Sequence, residues 1–152
     1  MTENGRAKAP TTFWIIAVLS LLWSGIGAAD YLQTSMENHA YLNDMARGMG
    51  LSVEELVAHY RAMPWWSVAF WAFGVWGSVA GSILLLLRSR YALHAFLVSL
   101  AGLIVTTISG FMDPLPGQAD SMVPLVFTAI VFVILIALIQ YARRMIARRV
   151  LS

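Results

Sequence analysis

The chain contains no cysteine, little charge and no polar stretch long enough to serve as a linker between domains. Without cysteine there can be neither a disulfide-stapled secreted module nor a thiolate metal site. Charged residues make up 12% of the sequence, against about a quarter in an ordinary soluble domain, which excludes a disordered, charge-solvated chain. At 152 residues there is no room for a soluble multidomain enzyme. Motifs that carry catalysis are missing too: there is no HExxH, no GxSxG and no glycine-rich phosphate loop. The reading is therefore not an enzyme, with no cofactor and no metal. Nor does the net charge of +2 point to nucleic acid, because what matters is where the charges lie.

What is present is apolar. Hydrophobic residues account for 59% of the chain and the mean hydropathy is +0.72. Four segments, about 12–32, 64–87, 91–111 and 122–142, approach or exceed the roughly 20 residues needed to cross a bilayer. They are too long for strands and lack strict alternation, so they read as helices. Helices are also the spanning form whose backbone groups are satisfied within one segment. The expected fold is all-α: one membrane domain over 1–152, a four-helix bundle embedded in lipid.

Charge position orients the bundle. Arg6 and Lys8 precede the first span, Arg88 and Arg90 separate the second and third, and Arg143, Arg144, Arg148 and Arg149 follow the fourth. These eight basic residues are accompanied only by Glu3. The other two loops hold Asp30, Glu37, Asp44, Glu54, Glu55, Asp113 and Asp120 against Arg47 and Arg61. The positive-inside rule then places both termini in the cytoplasm, with 143–152 a basic tail and loops 33–63 and 112–121 facing outward. The localisation expected is a bacterial inner membrane, with the lipid bilayer as the chief partner. The basic start, the apolar run and Gly27-Ala28-Ala29 also fit a cleavable secretory signal. The length of that run, with Trp14 and Trp23 near its two ends as in an aromatic belt, favours an uncleaved span.

In the longer outward loop, Ser52-Val53-Glu54-Glu55 fits a capping box, and Val53, Leu56, Val57 and Tyr60 form one apolar stripe. A short amphipathic helix over about 52–62 follows, lying on the outer ends of the spans, with Leu51 and Leu56 as a hydrophobic staple. Gly48 and Gly50 separate it from Ala40–Arg47, read as a helical turn or two. Asp113-Pro114-Leu115-Pro116-Gly117 reads as a turn, and Arg88-Ser89-Arg90 is short enough to make the second and third spans antiparallel neighbours.

The second span carries Gly74, Gly77, Ser78 and Gly81 on one face, and the third offers Ser99, Gly102 and Thr106. Small residues let helix backbones approach closely in lipid. This stripe serves helix packing inside the chain, a homodimer seam or a narrow solute path. Thr106 and Thr107 are the deepest polar groups of the third span and can bond a carbonyl one turn back. His94, close to Arg90, reads as a headgroup-depth histidine, and His39 and His59 as solvated loop residues. Asp30, Tyr31, Arg61 and Asp113 fall at one membrane face, where an Asp30–Arg61 or Asp113–Arg61 pair would fasten the outer helix to the bundle.

Several strings resemble a family of short bacterial inner-membrane proteins often labelled sugar transporters. They are Thr12-Phe13-Trp14-Ile15-Ile16 through Trp23, Gly27-Ala28, Asp30-Tyr31, Ala62-Met63-Pro64-Trp65, Trp71 to Gly77 and Leu84 to Arg90. The resemblance covers the first three spans and implies a small four-span cytoplasmic-membrane protein; the label points to a sugar or other small solute as cargo, and four spans are few enough that a transporter would work as a homo-oligomer. The sequence departs from small sugar-transporter folds in lacking their proline–glutamine motif. The scarcity of charge at mid-membrane supports a different class, a non-transporting accessory protein of a larger membrane complex.

Overall fold

In a computed structural model that describes residues 5, 7–115 and 122–152, six helices form among the described residues. They are α1 (Thr11–Ser35), α2 (His39–Met49), α3 (Val53–Ala62), α4 (Trp65–Leu86), α5 (Tyr91–Met112) and α6 (Val123–Ala147). The chain is all-α, and α1, α4, α5 and α6 are long and apolar enough to cross a membrane as a bundle. With 22 to 25 residues each, and a rise of about 1.5 Å per residue, they outreach a hydrocarbon layer of about 30 Å. Each covers one of the apolar segments read from the sequence, and α1 and α6 run beyond them to Ser35 and Ala147. Their outward faces expose Leu19, Leu22, Phe73, Ile108, Phe127 and Val133. In water such a surface would drive association; in lipid it is the face that meets solvent.

Because lipid tails are as apolar as leucine, close packing and hydrogen bonds must hold the helices together. The most extensive contact is between α4 and α5. A Cβ added at Gly77 would lie 2.9 Å from the Ser99 backbone nitrogen and 3.1 Å from the Ala95 carbonyl oxygen. One added at Gly102 would strike the Gly74 backbone and the Phe70 carbonyl, and one at Gly81 would meet the Phe96 ring at 2.6 Å. The small-residue face of α4 is thus covered by α5 of the same chain. Hydroxyls stitch the same helices: Ser99 donates to the Gly74 carbonyl, and Ser67 and Ser109 share a bond of 2.9 Å. On the adjoining flank of α4, Ser24 of α1 bonds Ser78 at 2.8 Å and Ser82 at 3.1 Å.

The bundle is sealed at the end where α1 begins and α6 finishes. Phe13, Ala17, Leu85, Ala92, Phe96 and Ala142 are fully buried there, and Phe13 stacks on Tyr141. Arg88 ends α4 in the left-handed region (φ 57°), with the Ser89 N–H closing back on the Leu84 carbonyl. Its guanidinium donates to the Val150 and Ala7 carbonyls. Arg149, also left-handed, reverses the chain after α6, and residues 150–152 tuck beneath the α4–α5 turn. The basic segment 143–152 is therefore not solvated throughout: Val150 and Leu151 are buried, their apolar side chains removed from water.

At the other end, α2 and α3 fold against each other around Leu42, Ala46, Leu56 and Val57. The Ala40–Arg47 stretch is longer than a turn or two. Asn38 caps α2 by accepting from the Tyr41 N–H, and Gly50 closes it with φ 70° and a Leu51 N–H bond to the Ala46 carbonyl. The capping box of α3 forms as its sequence indicates, Ser52 and Glu55 exchanging bonds. Pro64 then caps α4, after Met63 in the extended conformation that a following proline favours.

Substituting Gly102 with leucine is expected to lower stability by about 2 kcal/mol or more, because backbone rather than flexible side chain stands in its way. Gly25 has nothing near its missing Cβ, so Gly25→Leu should leave the melting temperature in detergent nearly unchanged. Equal effects from the two variants would refute this packing account.

Candidate functional site

α6 leans chiefly on α5. Near the sealed end it meets α1 through Tyr141 and Phe13, but toward the loop end space opens between them. The result is a cavity of about 860 Å³ bounded by α1, α4, α5 and α6, with α2 at its mouth. Its walls are largely apolar, Ile26, Leu103, Phe111, Leu125 and Val131 among them. Ser24, Ser78, Ser99, Thr106, Thr107 and Thr128 supply hydroxyls.

Three of those hydroxyls already have their proton placed. Thr106 donates to the Gly102 carbonyl at 2.6 Å and Thr107 to the Leu103 carbonyl at 2.7 Å, the one-turn-back bonding open to threonine in a helix. Ser99 donates to Gly74 across the α4–α5 contact. Toward the cavity these three oxygens offer lone pairs. The seven packing or path residues thus divide. Gly74, Ser78, Ser99 and Thr106 line the cavity, while Gly77, Gly81 and Gly102 lie within the α4–α5 contact and α5's ring of Phe96.

The four outer-face residues also divide. Asp30 lines the cavity mouth, where it accepts a hydrogen bond from the Tyr41 hydroxyl. Tyr31 packs edge-on against Trp71, with ring centroids 4.8 Å apart. Asp113 is exposed at the end of α5. Arg61 fastens α3 as expected, but to Glu37 rather than to Asp30 or Asp113. Two guanidinium nitrogens meet the Glu37 carboxylate at 2.7 and 2.6 Å. The reason is local: the chain leaves α1 through Glu37 in the left-handed region (φ 51°), which presents its carboxylate to α3.

Tyr41, Trp71 and the hydroxyl chain Ser78–Ser24–Ser82 carry no signature in the sequence. A tyrosine in a short polar helix and serines in apolar spans give no motif. The signal present is spacing, since Ser78 and Ser82 lie four residues apart and so share a helix face. His94 is exposed beside Tyr91 at the sealed end. Among the described residues no three histidine or acidic side chains converge on a metal-sized point. The second half of the expected 113–117 turn, and Glu3, Arg6 and Asp120, lie outside the described residues.

Burial first, then the bond to Asp30, pushes the Tyr41 phenol up to about 12; burial and the nearby Asp30 charge do the same for Tyr60. The fold favours the neutral phenol, so this contribution is complete below pH 10, the ordinary value, and is lost as pH rises through about 12. Phenolate absorbance should therefore show late-titrating tyrosines, one of which vanishes in Tyr41→Phe. Glu37 behaves oppositely. Hydrogen bonds from Arg61 hold its carboxyl below the usual range, so the tie to α3 is present at neutral pH and is lost on acidification below about 4.5. Proteolysis of the α2–α3 segment should accelerate in that acid window, and Glu37→Gln should remove the pH dependence.

No known protein family, no curated protein and no solved structure matches the chain.

Proposed function

We propose that this chain is a small integral protein of a bacterial inner membrane that takes a small solute into its bundle cavity and passes it across. The cavity carries the proposal. A volume of about 860 Å³ falls in the range of ligand sites, and apolar walls with a few fixed polar groups are the usual composition of such sites. The resemblance to proteins labelled sugar transporters supports the same class. Since α5 covers the glycine face of α4, the path runs through one chain, and a second copy would pack against lipid-facing surfaces. The eight-to-two division of basic residues supports a cytoplasmic sealed end and an outward cavity mouth. Passage then requires the sealed end to open, and the Arg88 clamp on Ala7 and Val150 is the contact that would have to release.

A second reading is favoured by the largely apolar walls. On that reading the protein is a non-transporting accessory subunit whose cavity receives a helix of a larger membrane partner. Flux into reconstituted vesicles separates the two. Transport predicts uptake of small polar and amphiphilic solutes that falls at least tenfold when Val131→Trp fills the cavity. No flux from the intact protein, together with a membrane partner that leaves the complex on the same substitution, would establish the accessory role instead.

A further inference from the structure

Resting on the reading of the cavity as a solute site, we infer that it selects an amphiphilic organic cation, a protonated amine with an apolar body, held by the Asp30 carboxylate at the cavity mouth. Among the cavity's described lining residues Asp30 is the single carboxylate, and none is lysine, arginine or histidine. Asp30 is half-buried, and Tyr41 donates to one of its oxygens. A hydroxyl donor does not neutralise a carboxylate, and a charge beside apolar surface is costly until a counter-charge arrives. The obvious internal candidate is engaged elsewhere, because Glu37 holds the Arg61 guanidinium through two bonds. Among the described residues no cation pairs with Asp30, so its carboxylate is open to a cationic ligand.

Three further features fit the same ligand. Trp71 lines the cavity, held by edge contact with Tyr31 and by stacking of one face on Tyr60, and an indole in the wall adds attraction for an ammonium group. Deeper in, Ser99, Thr106 and Thr107 have their protons committed to backbone carbonyls. They offer acceptors, which suit ammonium N–H groups. Apart from Ser24, Ser78 and Thr128 the remaining walls are largely apolar, which suits an apolar body and gives the many hydroxyls of a sugar few partners. An anion would meet Asp30 with no compensating charge. The loop side as a whole carries seven acidic residues against two basic ones, which raises the local concentration of cations.

The full chain in nanodiscs of zwitterionic lipid tests this by equilibrium binding, with lipid partitioning subtracted using empty discs. Three probes share one body: 4-phenylbutylammonium, its uncharged isostere pentylbenzene, and the anion 5-phenylpentanoate. The cation is expected to bind at least tenfold more tightly than the isostere, and the anion more weakly than either. Asp30→Asn keeps an acceptor for Tyr41 and should abolish the preference while leaving the isostere's binding in place; Asp30→Glu should restore it. Val131→Trp should remove binding of all three. Equal binding of cation and isostere to the intact protein would overturn the charge selectivity and leave the solute cavity standing. Binding of none, or binding unaffected by Val131→Trp, would overturn the cavity reading along with it.

Discussion

The architecture depends on how closely the backbones of α4 and α5 approach. At Gly102 there is no space for even a methyl group against Gly74 and Phe70, and that proximity is the source of van der Waals attraction where lipid removes the hydrophobic drive between helices. Once α4 and α5 are locked, α4 can still meet α1 through its serines, whereas α6 is left with α5 as its main support. The cavity follows from that imbalance. A tight pair and two less tightly held neighbours enclose space that four equally packed helices would fill.

The polar groups share a related logic. Hydroxyls such as those of Ser67, Ser99 and Thr106 bond a carbonyl or another hydroxyl, so the helices are tied without charge. Charge is kept to the ends. Arg88 and Glu37 sit in the left-handed position that usually falls to glycine. Both use the long side chain that glycine would lack, Arg88 to gather two strands of chain and Glu37 to hold α3. The backbone cost of order 1 kcal/mol at such a residue is offset by contacts that no glycine could make.

This explains which regions of the molecule were legible in the sequence. The spans were, because hydrocarbon thickness imposes length and apolarity directly. So were the capping box at Ser52 and the small-residue stripe, since each is a local pattern with one geometric use. The partner of Arg61 was not. Asp30, Glu37 and Asp113 all lie on its side, and the choice fell to a left-handed turn at Glu37 that nothing in that residue announces. Nor was the cavity, which arises from where α6 does not touch, and a pattern read one helix at a time carries no information about a gap. The burial of Val150 and Leu151 was hidden by the arginines around them.

The Arg88 clamp has a consequence for biosynthesis. Arg88 sits between the second and third spans, yet one of its two carbonyl partners is Val150, and the Ser152 N–H closes on Arg88's own carbonyl. During translation the first three spans therefore enter the bilayer before the groups that secure their shared end exist. The growing chain holds Arg88 with half of its acceptors missing until Val150 has left the ribosome. Closure of this end of the bundle thus waits on the segment that follows the fourth span, and a chain halted within that span would be threaded but unlatched.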